Sequence, residues 1–233
     1  MIDYDKLLTY NTDITYAFHG KITECDIREA SLQIADRFHY LPDDVIDELK
    51  LLSKKDRVVR VGNIQKDNPH FSEQYYSKLR EIRRHFISTN KLTDDNVISL
   101  HSDALFINSK KRLKMTIDDI EFKSKHRWTS YIRYGSIEMF YNDDDGSITY
   151  KGITDKLLQL HTIVLCRHIL KVFEMIENND ERIFHYLSDY QSKYLQHQLN
   201  DNCYIPFGRV NGEEFKENLK LLSYLTQIAI KEC

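Results

Sequence analysis

Two aspartates within apolar, strand-like runs constrain this chain more than any other feature. Asp26 ends the run that begins at Ile22, and Asp103 follows the run 97–100. An acid in an apolar strand is costly to bury unless it is paired, protonated or bound to a metal. Two such acids on two strands predict a shared divalent cation, with Asp26 and Asp103 as its ligands. The alternative for each aspartate is an ordinary cap or turn residue at the end of a strand.

The patterns around these acids predict a mixed first part of the chain. Residues 14–18 and 22–26 suggest two strands around a turn at His19-Gly20. A helix is expected over residues 43–52, because Pro42 suits its first turn. Four apolar residues at helical spacing predict a second helix opened by Ser72: Tyr75, Leu79, Ile82 and Phe86. Residues 121–134 and 137–150 resemble a strand meander closed by a turn at 145–146.

From residue 154 the apolar residues recur at helical spacing instead. Helices are expected over residues 157–176 and 181–199, and a last one from Asn211 through Ile230. We therefore divide the chain into residues 1–152 and 153–233. The predicted fold is α+β, with an antiparallel sheet, helices inserted between its strands, and a C-terminal helical segment.

Two short segments carry a family resemblance. Residues 26–34, Asp-Ile-Arg-Glu-Ala-Ser-Leu-Gln-Ile, resemble motif A of palm-type nucleic-acid polymerases, including reverse transcriptases and family A and B DNA polymerases. Residues 102–107, Ser-Asp-Ala-Leu-Phe-Ile, resemble motif C of the same enzymes. Ala104 stands where many of them carry a second acid. The resemblance implies a palm-like sheet, a thumb-like helical segment, and Asp26 and Asp103 as catalytic residues.

The chemistry implied by this resemblance is nucleotidyl transfer. Two Mg²⁺ or Mn²⁺ ions bridged by Asp26 and Asp103 would activate a hydroxyl and stabilise the departing pyrophosphate. A basic run could then bind the triphosphate: Lys54, Lys55, Arg57 and Arg60. The expected partners are a nucleoside triphosphate and a nucleic acid, and a protein partner is also compatible with this interpretation. The alternative for the basic run is a solvated helix end.

A second catalytic interpretation uses Asp103 with a later segment. Glu121-Phe122-Lys123 supplies a Glu-x-Lys pattern that resembles, together with Asp103, the core of restriction-type nucleases. In that arrangement two acids hold a metal, and the lysine positions or activates water.

A third interpretation is a module without catalysis that binds nucleic acid or protein. Several aromatic residues near basic ones could stack on bases: Tyr75, Tyr76, Trp128, Tyr131 and Tyr134. Aromatic residues in a strand meander are more often part of the core. The net charge of −3 does not by itself favour nucleic-acid binding.

Composition excludes several other classes. No apolar run approaches the roughly 20 residues that cross a bilayer, and no secretory leader is visible, so we expect a cytoplasmic protein without membrane contact. The four scattered cysteines show no zinc-finger spacing, and the histidines form no HExxH pattern. The abundance of Asn, Asp, Lys, Ile and Tyr is typical of an AT-rich genome such as that of a phage.

Overall fold

A computed structural model describes residues 16–134, 137–152, 156–204, 209–210 and 213–214, together with Thr226 and Ile230. These residues form two compact units. The first unit contains residues 21–127, and the second contains residues 16–20 and the described part of the chain from Trp128 onward. The division predicted at residue 152 falls inside the second unit.

The elements of the chain confirm an α+β fold in which helices are inserted between the strands of an antiparallel sheet. The first strand is followed by four helices and then by a hairpin: β1 (Tyr16–Ile27), α1 (Ala30–Arg37), α2 (Asp43–Leu51), α3 (Lys54–Asp67), α4 (Pro69–Thr89), β2 (Val97–His101) and β3 (Ala104–Ile107). The remaining elements are β4 (Thr116–Ile117), β5 (Ile120–Tyr134), β6 (Ile137–Tyr141), β7 (Ile148–Lys151), α5 (Lys156–Glu177), α6 (Ile183–Leu195), β8 (Arg209–Val210) and β9 (Glu213–Glu214). Strands β1 and β5 contribute residues to both units.

In the first unit the hairpin β2–β3 lies beside β1, with β3 antiparallel to both β2 and β1. Asp26 on β1 is opposite Ala104 on β3. Strand β5 lies on the other side of β1, and the short β4 pairs with β5. This order brings the end of β1 next to the turn of the β2–β3 hairpin.

The core of the first unit lies between one face of this sheet and the inserted helices. It includes Cys25 and Leu105 from the strands and the apolar stripe of α4, in which Leu79, Ile82 and Phe86 are buried. Helix α4 begins earlier than predicted because Pro69 occupies its first turn and the Asn68 side chain accepts a hydrogen bond from the Phe71 amide. The sequence pattern therefore predicted the buried face of α4 correctly and its start incorrectly.

Strand β1 corrects one prediction, because residues 16–27 form one continuous strand instead of two strands around a turn at His19-Gly20. Gly20 has φ of +147°, and a Cβ at this position would lie 3.1 Å from the Phe18 ring. Glycine therefore permits an irregular backbone inside the strand. The same residue type that suggested a turn is what allows the strand to continue.

The basic run lies on a helix. Its β-branched residues from Val58 onward belong to helix α3, which is capped by the Ser53 side chain accepting a hydrogen bond from the Asp56 amide. Val61 is the buried residue of this helix, while Val58 and Val59 are exposed. A cap and one buried contact thus outweigh the modest strand preference of valine.

The second unit contains the predicted meander from Trp128 onward and the two predicted helices that follow it, α5 and α6. Strand β6 pairs with both β5 and β7 in antiparallel register, and Asp145-Gly146 lies in the β6–β7 connection. Residues of α5 and α6 pack against β5 and β6 in a core that includes Ile132, Met139 and Val172. The last predicted helix, 211–230, falls mostly outside the described residues. No helix within the described ranges is long and apolar enough to span a bilayer.

Candidate active site

Asp26 and Asp103 lie at neighbouring positions on two connected elements. Asp26 is the penultimate residue of β1, and Asp103 lies in the Ser102-Asp103 turn between β2 and β3. The Ile27 amide donates a hydrogen bond of 3.0 Å to the Asp103 carbonyl, which ties the strand end to the turn. Ser102 has φ of +43°, so the turn uses a left-handed backbone that a non-glycine residue seldom adopts. The hydrogen bond and the turn together fix the position of Asp103.

The two carboxyl groups interact directly. The pKa of Asp26 is raised to about 6, mainly by burial, with the Asp103 charge and a hydrogen bond between the two side chains acting in the same direction. The Asp26 side chain is only 12% exposed. Two carboxylates this close repel each other unless a proton or a cation lies between them. The pair therefore has the electrostatic property expected of a cation site.

Two lysines from β5 partly balance this negative charge. Lys123 Nζ lies 3.9 Å from Asp26 Oδ2, and Lys125 Nζ lies 4.0 Å from the same oxygen. Lys125 also pairs at 3.3 Å with the buried Glu24, two residues before Asp26 on β1. Alternate residues of a strand share a face, so this face carries two acids of β1 and two bases of β5. Both lysines act to lower the pKa of Asp26 against the larger effects of burial and Asp103.

A cavity of about 340 Å³ opens beside the two aspartates. Its walls come from the first residues of α1, one face of α3, Tyr75 and Tyr76 of α4, the Ser102-Asp103 turn, and Lys123. Tyr75 is buried, and both its burial and the nearby Asp103 charge raise the pKa of its phenol above the ordinary value. The Tyr75 hydroxyl therefore stays neutral and keeps its proton.

The structure separates the four basic residues predicted to bind phosphates. Lys54 and Arg57 line the cavity, whereas Lys55 and Arg60 do not. Arg60 forms a bidentate pair with Glu48, with nitrogen–oxygen distances of 2.9 and 3.2 Å. The reason is helical geometry, because at about 3.6 residues per turn Lys55 and Arg60 point about 100° and about 120° away from Lys54 around the axis of α3. A helix directs the four cations to different sides, which the sequence pattern alone did not reveal.

Arg57 already has several partners within the first unit. Its guanidinium pairs with Glu29 at 2.8 Å and donates to the carbonyls of Leu49 and Leu52 at 2.9 and 3.1 Å. The side chain is 12% exposed. Arg57 therefore holds α2, α3 and the start of α1 together. Lys54 also lines the cavity but, unlike Arg57, it is not held by several hydrogen bonds to neighbouring helices among those the structure describes.

Glu121 does not share the cavity with Asp103. Its carboxylate pairs with Arg28 at 3.1 Å, and it is not among the residues that line the cavity. Lys123, from the same Glu-x-Lys segment, lies beside Asp26 instead. The neighbour of Asp103 is therefore Asp26. Among the described residues, no group of three or more His, Cys, Asp or Glu side chains is arranged to hold a metal.

The other aromatic candidates lie in the second unit. Trp128 and Tyr131 are buried, and the Tyr131 hydroxyl donates to the buried Glu138 carboxylate. Because the Trp128 and Tyr131 rings are buried, they belong to the core and are not available to stack on nucleic-acid bases. The Tyr134 side chain lies outside the described residues. Tyr76 is partly exposed on the cavity wall of the first unit.

Sequence analysis missed three residues that contribute to this site. Lys125 and Glu24 form the pair beside Asp26, and Glu29 holds Arg57. The alternation of acids at residues 24 and 26 and of bases at residues 123 and 125 was visible as a signal. This alternation predicts ion pairs between the two segments only if β5 is known to lie next to β1.

Residues 2–229 match the model of the Bacteriophage PBS1 gene 130 protein family, and the chain belongs to this family. The family's description supports the phage origin suggested by composition and contains no statement about a polymerase. The comparison with curated proteins found no match.

Proposed function

For this member of the Bacteriophage PBS1 gene 130 protein family, we propose metal-dependent nucleotidyl transfer from a nucleoside triphosphate to a nucleic-acid hydroxyl. The observation that carries the proposal is the contact between the Asp26 and Asp103 side chains beside a cavity with basic residues on its walls. A strongly perturbed acid in a cleft, with a specific charged neighbour, is a physical indication of a reactive site.

The two carboxyl groups fit a hard divalent cation. Mg²⁺ and Mn²⁺ prefer oxygen ligands, and Mg²⁺ commonly binds one or two protein carboxylates while phosphate and water complete its coordination. A cation would remove the repulsion that now raises the pKa of Asp26. When bound, the metal would activate the attacking hydroxyl and stabilise charge on the phosphate oxygens.

The remaining side chains of the cavity suit a triphosphate. Lys54 and Lys123 offer positive charge from two elements that line the cavity, α3 and β5. Tyr75, which stays protonated, can donate a hydrogen bond and so hold Asp103 in one orientation. The small Ala30 and Ser31 at the start of α1 leave room beside Asp26. Each of these groups would bind the triphosphate or orient the reacting groups. Positioning of this kind accounts for much of the catalysis of phosphoryl transfer.

The nuclease interpretation has less support. It requires Glu121 beside Asp103, whereas Glu121 pairs with Arg28. We therefore do not propose the nuclease or the module without catalysis, but the assay described below would detect either one.

The test is pyrophosphate release from nucleoside triphosphates with Mg²⁺ or Mn²⁺, measured with a primed template, with unprimed nucleic acid, and with neither. We expect release that Asp26→Asn and Asp103→Asn each lower at least about 1000-fold, because each removes a proposed metal ligand. Asp44→Asn, an exposed acid in the first turn of α2, is the matched control.

Glu121→Ala distinguishes the alternatives in the same assay. It should leave pyrophosphate release unchanged under our proposal. Degradation of the unprimed nucleic acid that is lost in Glu121→Ala would instead support the nuclease. Absence of both activities in a folded protein would contradict our proposal and favour the module without catalysis.

A further inference from the structure

A second concave surface of the first unit carries a concentration of positive charge. This basic hollow, of about 480 Å³, is surrounded by five cationic side chains: Lys21, Lys110, Lys111, Arg112 and Arg127. Three come from consecutive residues of the segment after β3, one from β1 and one from β5. Of the residues that the structure describes, none that lines the hollow is acidic, although the whole chain has a net charge of −3.

These five cations are also free of ion pairs within the described part of the chain. Other exposed bases of the first unit have acidic partners, such as Arg28 with Glu121 and Lys50 with Asp36. The side chains of all five residues around the hollow are exposed. Like charges held together without counter-charges repel each other, so the arrangement is relieved when an anion binds.

The inner wall of the hollow supplies complementary groups. Thr23, Ser109 and Ser124 provide hydroxyls, and buried or half-buried apolar side chains such as Leu113 and Phe122 also line it. The Ser109 hydroxyl accepts a hydrogen bond from the Lys111 amide at 3.1 Å, which helps to hold the cationic segment in place. Hydroxyls and exposed cations around one hollow match the contacts that proteins make with phosphate backbones.

The basic hollow is separate from the cavity beside Asp26. Among the described residues the two share no lining residue. The hollow is lined by Lys21, Thr23 and Cys25 of β1, whereas the cavity is lined by Asp26 and Ile27 at the end of that strand. A ligand in the hollow is therefore distinct from a triphosphate bound beside Asp26.

We propose that the basic hollow binds the phosphate backbone of a nucleic-acid strand. Five cations from three segments exceed what a single phosphate group requires, and their distribution suits successive phosphates along a chain. This inference does not depend on nucleotidyl transfer, since binding is measured without nucleotides or metal.

The experiment measures the affinity for fluorescent 12-nucleotide single strands of DNA and RNA by anisotropy between 50 and 200 mM salt. Lys111→Gln with Arg112→Gln should weaken binding about 20-fold at 100 mM salt. It should also reduce the slope of log affinity against log salt by about 1.4, or about 0.7 for each lost phosphate contact. Circular dichroism would establish that the variant is folded.

Two charge-matched double variants serve as controls. Lys171→Gln with Lys193→Gln removes two exposed charges from the second unit, and Lys66→Gln with Lys91→Gln removes two exposed charges of the first unit that line neither the hollow nor the cavity. Both should retain most of the affinity and the salt slope. Unchanged binding in the hollow variant, an equal loss in the controls, or a hollow that binds inorganic tripolyphosphate but no oligonucleotide would each overturn the proposal.

Discussion

Asp26 in the first unit and His168 in the second are both buried titratable residues, but their surroundings differ. Burial and a neighbouring acid, Asp103, raise the pKa of Asp26 to about 6. Burial alone lowers the pKa of His168 to about 4. The His168 ring stacks on Tyr190 with centroids 3.6 Å apart, and its Nδ1 lies 3.0 Å from the Tyr186 hydroxyl.

The comparison shows that a shifted pKa is insufficient to identify a reactive site. His168 loses its charge because it is packed among aromatic rings, which stabilises the fold and gives it no charged partner to act on. Asp26 is held beside a second acid and faces a cavity with lysines on its walls. The like-charged neighbour and the accessible space distinguish a candidate reactive group from a core residue.

Removing the buried ring should have the largest effect on stability. His168→Ala leaves a cavity among Tyr186 and Tyr190, and we expect the free energy of unfolding at pH 7.5 to fall by about 3 kcal/mol. Urea denaturation gives the value. Pyrophosphate release by the folded protein should not change. Tyr186→Phe, which removes only the hydroxyl, should lower stability by about 1 kcal/mol. A wild-type stability in His168→Ala would contradict the assignment of His168 to the core.

A divalent cation should stabilise the first unit. If Mg²⁺ binds Asp26 and Asp103 in the folded protein only, a concentration 100 times its dissociation constant raises the free energy of unfolding by about 2.7 kcal/mol. Differential scanning calorimetry with and without Mg²⁺ would show the rise in Tm. Asp103→Asn should abolish the rise while His168→Phe retains it. An equal rise in Asp103→Asn would mean that the cation binds elsewhere.

Asp26→Asn should increase stability at neutral pH by about 1–3 kcal/mol without metal. The folded-state pKa of Asp26 is about 6 and its ordinary value is 3.8. The folded protein therefore binds more protons between these values, and stability is lost as the pH rises from 3.8 to 6. Above pH 6 the ionised Asp26 carboxylate destabilises the folded protein by the full amount, and asparagine, which carries no charge, removes this destabilisation. A less stable Asp26→Asn in metal-free buffer would contradict the repulsion between the two acids.

His168 should produce the opposite pH dependence. Its folded-state pKa is about 4 against an ordinary 6.5, so the unfolded chain binds more protons between these values. This contribution is fully present above pH 6.5 and is lost as the pH falls to 4. Asp26→Asn should therefore show a steeper acid loss of stability than wild type, whereas His168→Phe should show a shallower one. Urea midpoints measured from pH 4 to 7.5 would test the two slopes.

The smallest expected effect compares two adjacent lysines of α3. Lys54 lines the cavity and Lys55 does not. Lys54→Ala should weaken nucleoside triphosphate binding about five- to tenfold, corresponding to about 1 kcal/mol, and Lys55→Ala should leave it unchanged. Isothermal titration calorimetry with a non-hydrolysable triphosphate provides the measurement. Equal effects of the two substitutions would show that general surface charge, and not the cavity, attracts the triphosphate.

Local sequence patterns determined much of this protein. Prolines and acids in first turns and apolar residues three and four apart predicted α2 and the buried face of α4. The same patterns predicted an α+β fold and placed Asp26 at a strand end. These features depend on residues close in sequence, whose spacing is set by the period of a helix or strand.

Only the tertiary structure decided which charged residues meet. It brings Asp26 and not Glu121 beside Asp103, places Lys123 and Lys125 near Asp26, and directs Lys54 into the cavity. The order of strands depends on pairing between residues far apart in the chain, which no local pattern encodes. Tertiary packing also contributed to α3, where burial of Val61 outweighed the weak strand preference of valine, and the resulting helix separated the four cations.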